Sequence, residues 1–374
     1  MKFSRAITAG ALLVTTLAAG AGATTGGDGN GAGVREAGPT SSMAVAVPRA
    51  TLGKTLATGL DVPWGVTFLA DGSALVSQRP GTIVRVTGKG RTTTVGTLSG
   101  VDANGEGGLL GLALKPGARP TKAHPVVLYA YLTSTKGDNR VVRTRYDGTS
   151  LTKAKAVLTG IPSAGNHNGG EITFGPDGKL WIGTGDGAVP SHAQDRTSLG
   201  GKILRINPDG SVPADNPFAG SPVYSLGHRN VQGIAFDSRG RPWASEFGQD
   251  TWDELNRVLP GRNYGWPVVE GKEKRAGYVS PKIQWHTGNA SPSGLAIAGD
   301  VAYLGALRGE RLWAVPLRGK SVGTAKSLFR DRFGRIRNVA ATPDGDHLWV
   351  TTSNTDGRGT PSARDDRVLR LDLG

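Results

Sequence analysis

No cysteine occurs anywhere in the 374 residues. That excludes a disulfide framework, a lipid-bearing cysteine and the Cys-x-x-Cys-His site that attaches a haem. G-x-S-x-G, H-E-x-x-H and G-x-x-x-x-G-K-[ST] are equally absent, which removes the nucleophile elbow, the zinc-protease helix and the P-loop. The glycine-rich loops lead into strand patterns rather than helices, and no long amphipathic helix is evident. Acidic residues are scarce beside basic ones, 30 against 44, for a net charge of +14. Such an excess can mark a nucleic-acid partner. Here the arginines are dispersed over strands and loops, so no nucleic acid is expected and surface solubility covers most of the charge.

What is present begins with MKFSRAITAGALLVTTLAAGAGA (1–23), a basic start, an apolar stretch and a small-residue end. This is the three-part pattern of a secretory signal peptide, too short for a stable membrane anchor, and it implies a secreted, extracellular protein with no membrane span. Residues 24–48, rich in Gly, Thr, Ser and Ala without a period, read as a flexible leader. The remaining 49–374 read as one domain, in which 58 glycines and 22 prolines in the whole chain punctuate strands rather than dissolve them.

A weak repeat recurs through that domain at a period that marks propellers. Its unit is an apolar strand, an Asp-Gly or Arg-Gly turn and a second strand rich in Trp, Leu and Val. Clear copies are GVTFLADGSALVSQRPGTIVRVT (65–87), EITFGPDGKLWIGTGDG (171–187), GIAFDSRGRPWASEFG (233–248), GLAIAGDVAYLGALRGERLWAVPL (294–317) and VAATPDGDHLWVTTSN (339–354). A sixth, with a longer insertion, is GLLGLALKPGARPTKAHPVVLYAYLTS (108–134). The turn pairs favour hairpins because positive φ is cheap there. The expected fold is all-β, a six-bladed β-propeller of four-stranded antiparallel blades, with 50–60 closing the ring against the last blade. Strands such as RVVRTRY (140–146) and KILRIN (202–207) read as outer strands with their basic residues on a solvated face.

Propellers place chemistry where loops converge on the channel mouth. GEGG (105–108), GNHNGG (165–170), GHRNVQG (227–233), SPSG (291–294) and GRIRN (334–338) each open a blade at the same phase, so they meet at one mouth. His167 lies in a Gly/Asn loop, where an imidazole stays open to a ligand and can take a proton near neutrality. Arg229 and Asn230 offer a fixed charge and an amide for an oxyanion or a carboxylate. Arg335 and Arg337, two apart in an extended strand, form one basic surface. Arg308 occupies the analogous turn of the preceding blade. SEFGQDTWDELN (245–256) gathers carboxylates and glycine in the manner of a calcium loop, although such acids also serve as partners for arginines.

The ordered set LATGLDVPWGVTFLADGSALVSQRPGTI (56–83), GNHNGGEITFGPDGKLWIGTGDG (165–187), SLGHRNVQGIAFD (225–237), DELNRVLPGRNYGWP (253–267) and GRIRNVAATPDG (334–345) resembles the soluble PQQ-dependent glucose and aldose sugar dehydrogenases over about residues 50–373. The resemblance implies PQQ across the channel mouth, Ca2+ beside it, an aldose oxidised at the anomeric carbon and electrons leaving on an external acceptor. His167 matches the general base. Arg229 and Asn230 match contacts to PQQ, Arg335 and Arg337 the pair on its carboxylates, and Arg308 stands near a usual lysine. Glu106 falls where a glutamine commonly contacts substrate or cofactor. Gly248 and Gln249 match backbone ligands of the calcium at PQQ, and Glu254 and Tyr264 a second, structural calcium site.

The sequence departs from the family at Asn166, where some relatives carry an aspartate that would orient the histidine, and at Gln249, where proline is common. Arg308 and Glu106 depart in shape and charge. Two other readings compete: a non-catalytic sugar-binding propeller, and a calcium-dependent lactonase. The second needs several carboxylates on one channel metal, whereas the residues in phase here are His and Arg. The oligomeric state, monomer or dimer, is left open.

Overall fold

Apolar alternation about the Asp-Gly turns folds the chain into six antiparallel sheets. The computed structural model describes residues 47–374; the signal-peptide segment and all but the last two residues of the leader lie outside the described residues. The first strands of the six blades are Pro63–Phe68, Leu109–Ala113, Ile172–Phe174, Val231–Phe236, Pro292–Ala298 and Ile336–Ala341. Each touches the first strand of the blades on either side, so the sheets close into a six-bladed β-propeller. Five blades have four strands. In the fifth the outer position is split between Ser321–Val322 and Lys326–Leu328, both paired to Arg311–Arg318. The strand Ala50–Ala57 pairs antiparallel with Val368–Leu373 as the outermost strand of blade six, the closure expected for 50–60.

Apolar side chains fill the wedges between blades. Trp349 of blade six, 2% exposed, packs with Val76 and Val84 of blade one. Burying such a side chain contributes about 2–3 kcal/mol. The first strands approach closely at Gly111, where a Cβ would lie 2.3 Å from the Gly170 carbonyl, so no larger residue fits.

The reading of the third strands as outer strands with solvated basic faces holds for Asp138–Tyr146, where Arg143 and Arg145 are exposed, and is corrected in blade three. Strand Lys202–Ile206 is wholly buried and lies third in its blade. Lys202 donates to the carbonyls of His192 and Gly200 at 2.5 and 2.7 Å, and burial pushes its ammonium down to about 8. Arg205 joins Asp177, in the hairpin turn of its blade, at 2.8 Å, and Arg85 meets Asp71 in the same way. Alternation marks a side-chain period, not the side that solvent occupies; a fourth strand and a turn carboxylate cover this row.

The propeller axis holds a cavity lined from all six blades, by Val66, Leu112, Thr173, Ala235, Ala296 and Ala340 among others. Glu171 is the one ionisable group among the described residues lining it. Its side chain is partly covered, and loss of bulk water inside the ring holds its carboxyl well above the usual range. Unfolding returns that carboxyl to an ordinary value and releases its proton, so this residue makes the fold less stable as pH rises above about 4.5. Glu171→Gln should therefore melt above the parent at pH 8, with the gap closing toward pH 4. Equal melting temperatures across that range would remove the channel carboxyl as the cause.

Candidate active site

Each second strand returns to the end where the first begins, so two sets of loops meet at one mouth. In blade three the first set brings His167 and the second, after Leu180–Gly183, brings Asp186. His167 Nδ1 lies 2.8 Å from Asp186 Oδ1. A carboxylate only accepts, so Nδ1 carries the hydrogen and the lone pair is on Nε2. Burial would raise the Asp186 carboxyl, but hydrogen bonds from His167, Trp266 Nε1 and the Ala188 N–H hold it below the usual carboxylate range. His167 has φ of +57°, and a Cβ at Gly185 would lie 1.8 Å from its carbonyl. The histidine thus sits in a backbone shape that the facing glycine permits. Asn166 has no part in orienting it: that role falls to Asp186, nineteen residues on.

Glu106 faces the same loop. Its Oε2 accepts the His167 N–H at 3.1 Å and its Oε1 accepts from Arg358 Nη1 at 2.6 Å. Burial alone would raise this carboxyl; Arg358 outweighs it and keeps it ionised. The extra negative charge relative to glutamine is therefore matched by a cation in this chain. Arg79 braces the loop, donating to the carbonyls of Gly107, Ala103 and Gly105 at 2.9, 2.8 and 2.5 Å.

Arg335 and Arg337 do meet, as their spacing predicts, and both contact Asp356, at 3.0 and 3.4 Å. Two cations share one carboxylate, which leaves positive charge in excess. Arg337 also donates to Gln232 Oε1 at 2.9 Å, while its Nε is buried without a partner. Asn230 accepts the Gly169 N–H at 2.9 Å through Oδ1, and its Nδ2 is likewise unpartnered. Buried donors without acceptors cost about 1–3 kcal/mol each, and a ligand bearing oxygens would remove that cost. Arg229 lies 5.4 Å from the Trp266 ring, and Gln249 Oε1 accepts from its Nε and Nη2 at 2.9 and 2.6 Å. The glutamine in place of proline therefore holds Arg229. Arg308 does not open a blade as Arg335 and Arg337 do: it follows the second strand of blade five, Val301–Ala306, and is exposed and without a hydrogen bond among the described residues.

The loop before Trp252–Arg257 is wound around Glu270, whose Oε1 accepts from the N–H groups of Gln249, Thr251 and Trp252 at 2.9–3.2 Å. Gly248 and Gln249 keep their carbonyls free of hydrogen bonds among the described residues. Glu254 is buried and pushed up to about 8, by burial first and then by Glu246. Between the two carboxylates lies Asn256, whose Oδ1 is buried without a donor. The Tyr264 hydroxyl is committed, donating to the Arg257 carbonyl and accepting the Leu259 N–H. Its main-chain oxygen is what remains for a metal. No group of three His, Asp or Glu suited to a metal occurs among the described residues.

Residues 60–363 match the family described as Glucose / Sorbosone dehydrogenase. The chain belongs to that family. Glucose/sorbosone dehydrogenases are oxidoreductases acting on sugar CH–OH groups, and so is this enzyme. A solved structure of the PQQ-bound aldose sugar dehydrogenase of Streptomyces coelicolor is 49% identical, with a TM-score of 0.84 over 88% of this chain and 100% of that one. The aldose sugar dehydrogenase YliI of Escherichia coli is 30% identical over 355 residues, 85% of this chain and 94% of its own. Quinoprotein glucose dehydrogenase B of Acinetobacter calcoaceticus is 34% identical over 265 residues, covering 60% and 54%.

Within this dehydrogenase, the residues that sequence reasoning missed are Asp186, Asp356, Arg358 and Arg79. All four lie between second and third strands. The signal was in the sequence: each follows a second strand by a few residues, the return leg of a hairpin whose outward leg starts at the mouth.

Proposed function

We propose that this protein oxidises aldoses at the anomeric carbon to the lactone, using PQQ and Ca2+, and passes the electrons to an external acceptor. The observation that carries the reading is a histidine with a free Nε2, oriented by a buried aspartate, beside an arginine pair with unneutralised charge. PQQ carries three carboxylates, and the arginine pair together with the unpartnered Arg337 Nε and Asn230 Nδ2 fits it. Calcium is supported by the free carbonyls of Gly248 and Gln249 at the mouth. At a second position Glu254 and the orphaned Oδ1 of Asn256, whose amide Nδ2 donates to Glu254, offer oxygens suited to a hard cation.

Bound PQQ supplies the two-electron oxidant, and Ca2+ the Lewis acid beside it. His167 Nε2 takes the proton of the anomeric hydroxyl. Asp186, ionised and fixed by Trp266 and Ala188, stabilises the imidazolium that results. Arg229, held by Gln249 and Trp266, and the unpartnered Asn230 Nδ2 would hold the cofactor, offering a fixed charge and a donor to its oxygens. Arg335 and Arg337 bind carboxylates, and Arg358 keeps Glu106 from repelling them. The first 23 residues support a secreted protein.

The test is reconstitution of apo-protein with PQQ and Ca2+, followed by dye reduction with a panel of aldoses and lactone detection by NMR. Turnover should need both additions. Failure of PQQ to raise the melting temperature, together with no turnover on any aldose, would reject the reading.

A further inference from the structure

Half of the net charge lies on one blade. Residues 115–155 hold nine Lys and Arg against two Asp, out of a chain total of +14. Asp138 is paired with Arg140, and Asp147 accepts from Thr149 and Ser150 in its own turn. Arg143, Arg145, Lys153 and Lys155 make no ion pair among the described residues and are exposed. The acid across from Arg143, Asp209, takes its hydrogen bonds from the Ser211 hydroxyl and N–H at 2.7 and 2.9 Å.

The four cations form an array. Arg143 and Arg145 alternate with buried Val142 and Thr144 on strand Asp138–Tyr146. Lys155 is the cross-strand partner of Arg143, and Thr152, beside Lys153, donates its N–H to the Arg145 carbonyl at 3.0 Å. Strand geometry puts Lys155 about 5 Å from Arg143 across the pair and Arg145 about 6.8 Å from Arg143 along the strand, with Lys153 in the segment that leads into Lys155–Ile161. They border a groove with Val127, and the groove continues past Val127 to Lys115 and Arg119. The Asp138 end of the strand lies near the mouth, since the preceding strand joins it through Thr133 to Gly108. The array is therefore at the opposite end.

We propose that this face binds a linear acidic polysaccharide, whose repeated carboxylates or sulfates pair with the array, holding the enzyme with its mouth turned away from the polymer. Val127 is the single exposed large apolar residue of the groove, too little to anchor in a bilayer. Tyr129, Tyr131 and Tyr146 are buried, so no aromatic is offered for base stacking.

Binding to polygalacturonate, heparin, duplex DNA and phosphatidylglycerol vesicles would be measured against salt for the full chain. Two variants are compared: Arg143→Gln, Arg145→Gln, Lys153→Gln and Lys155→Gln together, and an exposed control set, Lys274→Gln, Arg318→Gln, Lys320→Gln and Lys326→Gln. Loss of four cations should lower the salt slope by about 3 and weaken one or both polysaccharides by at least about tenfold at physiological salt. Which polymer responds separates carboxylate from sulfate. The control should change by less than about twofold, and both variants should keep the parent melting temperature. Equal losses in both sets, no polysaccharide binding, or tighter binding to DNA or vesicles would each overturn the proposal.

Discussion

Aldose-dependent dye reduction by the PQQ-loaded enzyme is expected to fall by about 10²–10⁴-fold in His167→Gln, the range that a general base contributes. The loss should be in kcat, with PQQ affinity by fluorescence titration within a few-fold of the parent, because the residues proposed to hold the cofactor, Arg229, Asn230, Arg335 and Arg337, lie on other blades. Asp186→Asn tests the orientation. Its amide can donate to Nδ1 and drive the hydrogen onto Nε2, leaving the base without its lone pair toward substrate, so a loss of about 10²-fold or more is expected while His167 remains in place. Retained turnover in both variants would remove this pair from the chemistry.

Asp356→Asn is expected to destabilise the ligand-free protein by about 3–5 kcal/mol, since it strips the shared counter-charge from buried Arg335 and Arg337. Burial would raise the Asp356 carboxyl, but the two arginines hold it below its ordinary value. Its contribution is therefore present above the unfolded value near 3.8 and is lost as pH falls below it, so parent and variant should converge in acid. PQQ should raise the melting temperature more in Asp356→Asn than in the parent, as its carboxylates replace the missing one. Denaturant unfolding of the two ligand-free proteins measures the first effect, and thermal melts with and without PQQ measure the second. An undiminished apo-protein stability at pH 7 would show that the arginines are neutralised by other groups.

The ring, its six blades and its closure by 50–60 were legible because turn pairs and strand alternation are local signals. His167, Arg229 and the Arg335–Arg337 pair were legible because each opens a blade. What escaped were pairings across hairpins: Asp186 with His167, Asp356 with the arginine pair, Arg358 with Glu106, 252 residues apart. Periodicity reports which way a side chain points, not which distant loop faces it. The buried Lys202 and Arg205 were misplaced for the same reason, since their covering strand and turn are nonlocal. Asn166 was weighed because it adjoins His167 in sequence, while the orienting carboxylate came from a returning strand.

Strand Ala50–Ala57 has a consequence in time. It leaves the ribosome first among the blade strands, yet its partner ends at Leu373, one residue before the last. At about 5–20 residues per second, synthesis alone keeps it waiting for roughly a quarter of a minute to a minute. Through that interval it is a bare edge, open to self-association. Gly53 breaks its strand propensity and Lys54 puts a charge on its exposed side, both features that discourage edge-to-edge pairing until Val368–Leu373 arrives.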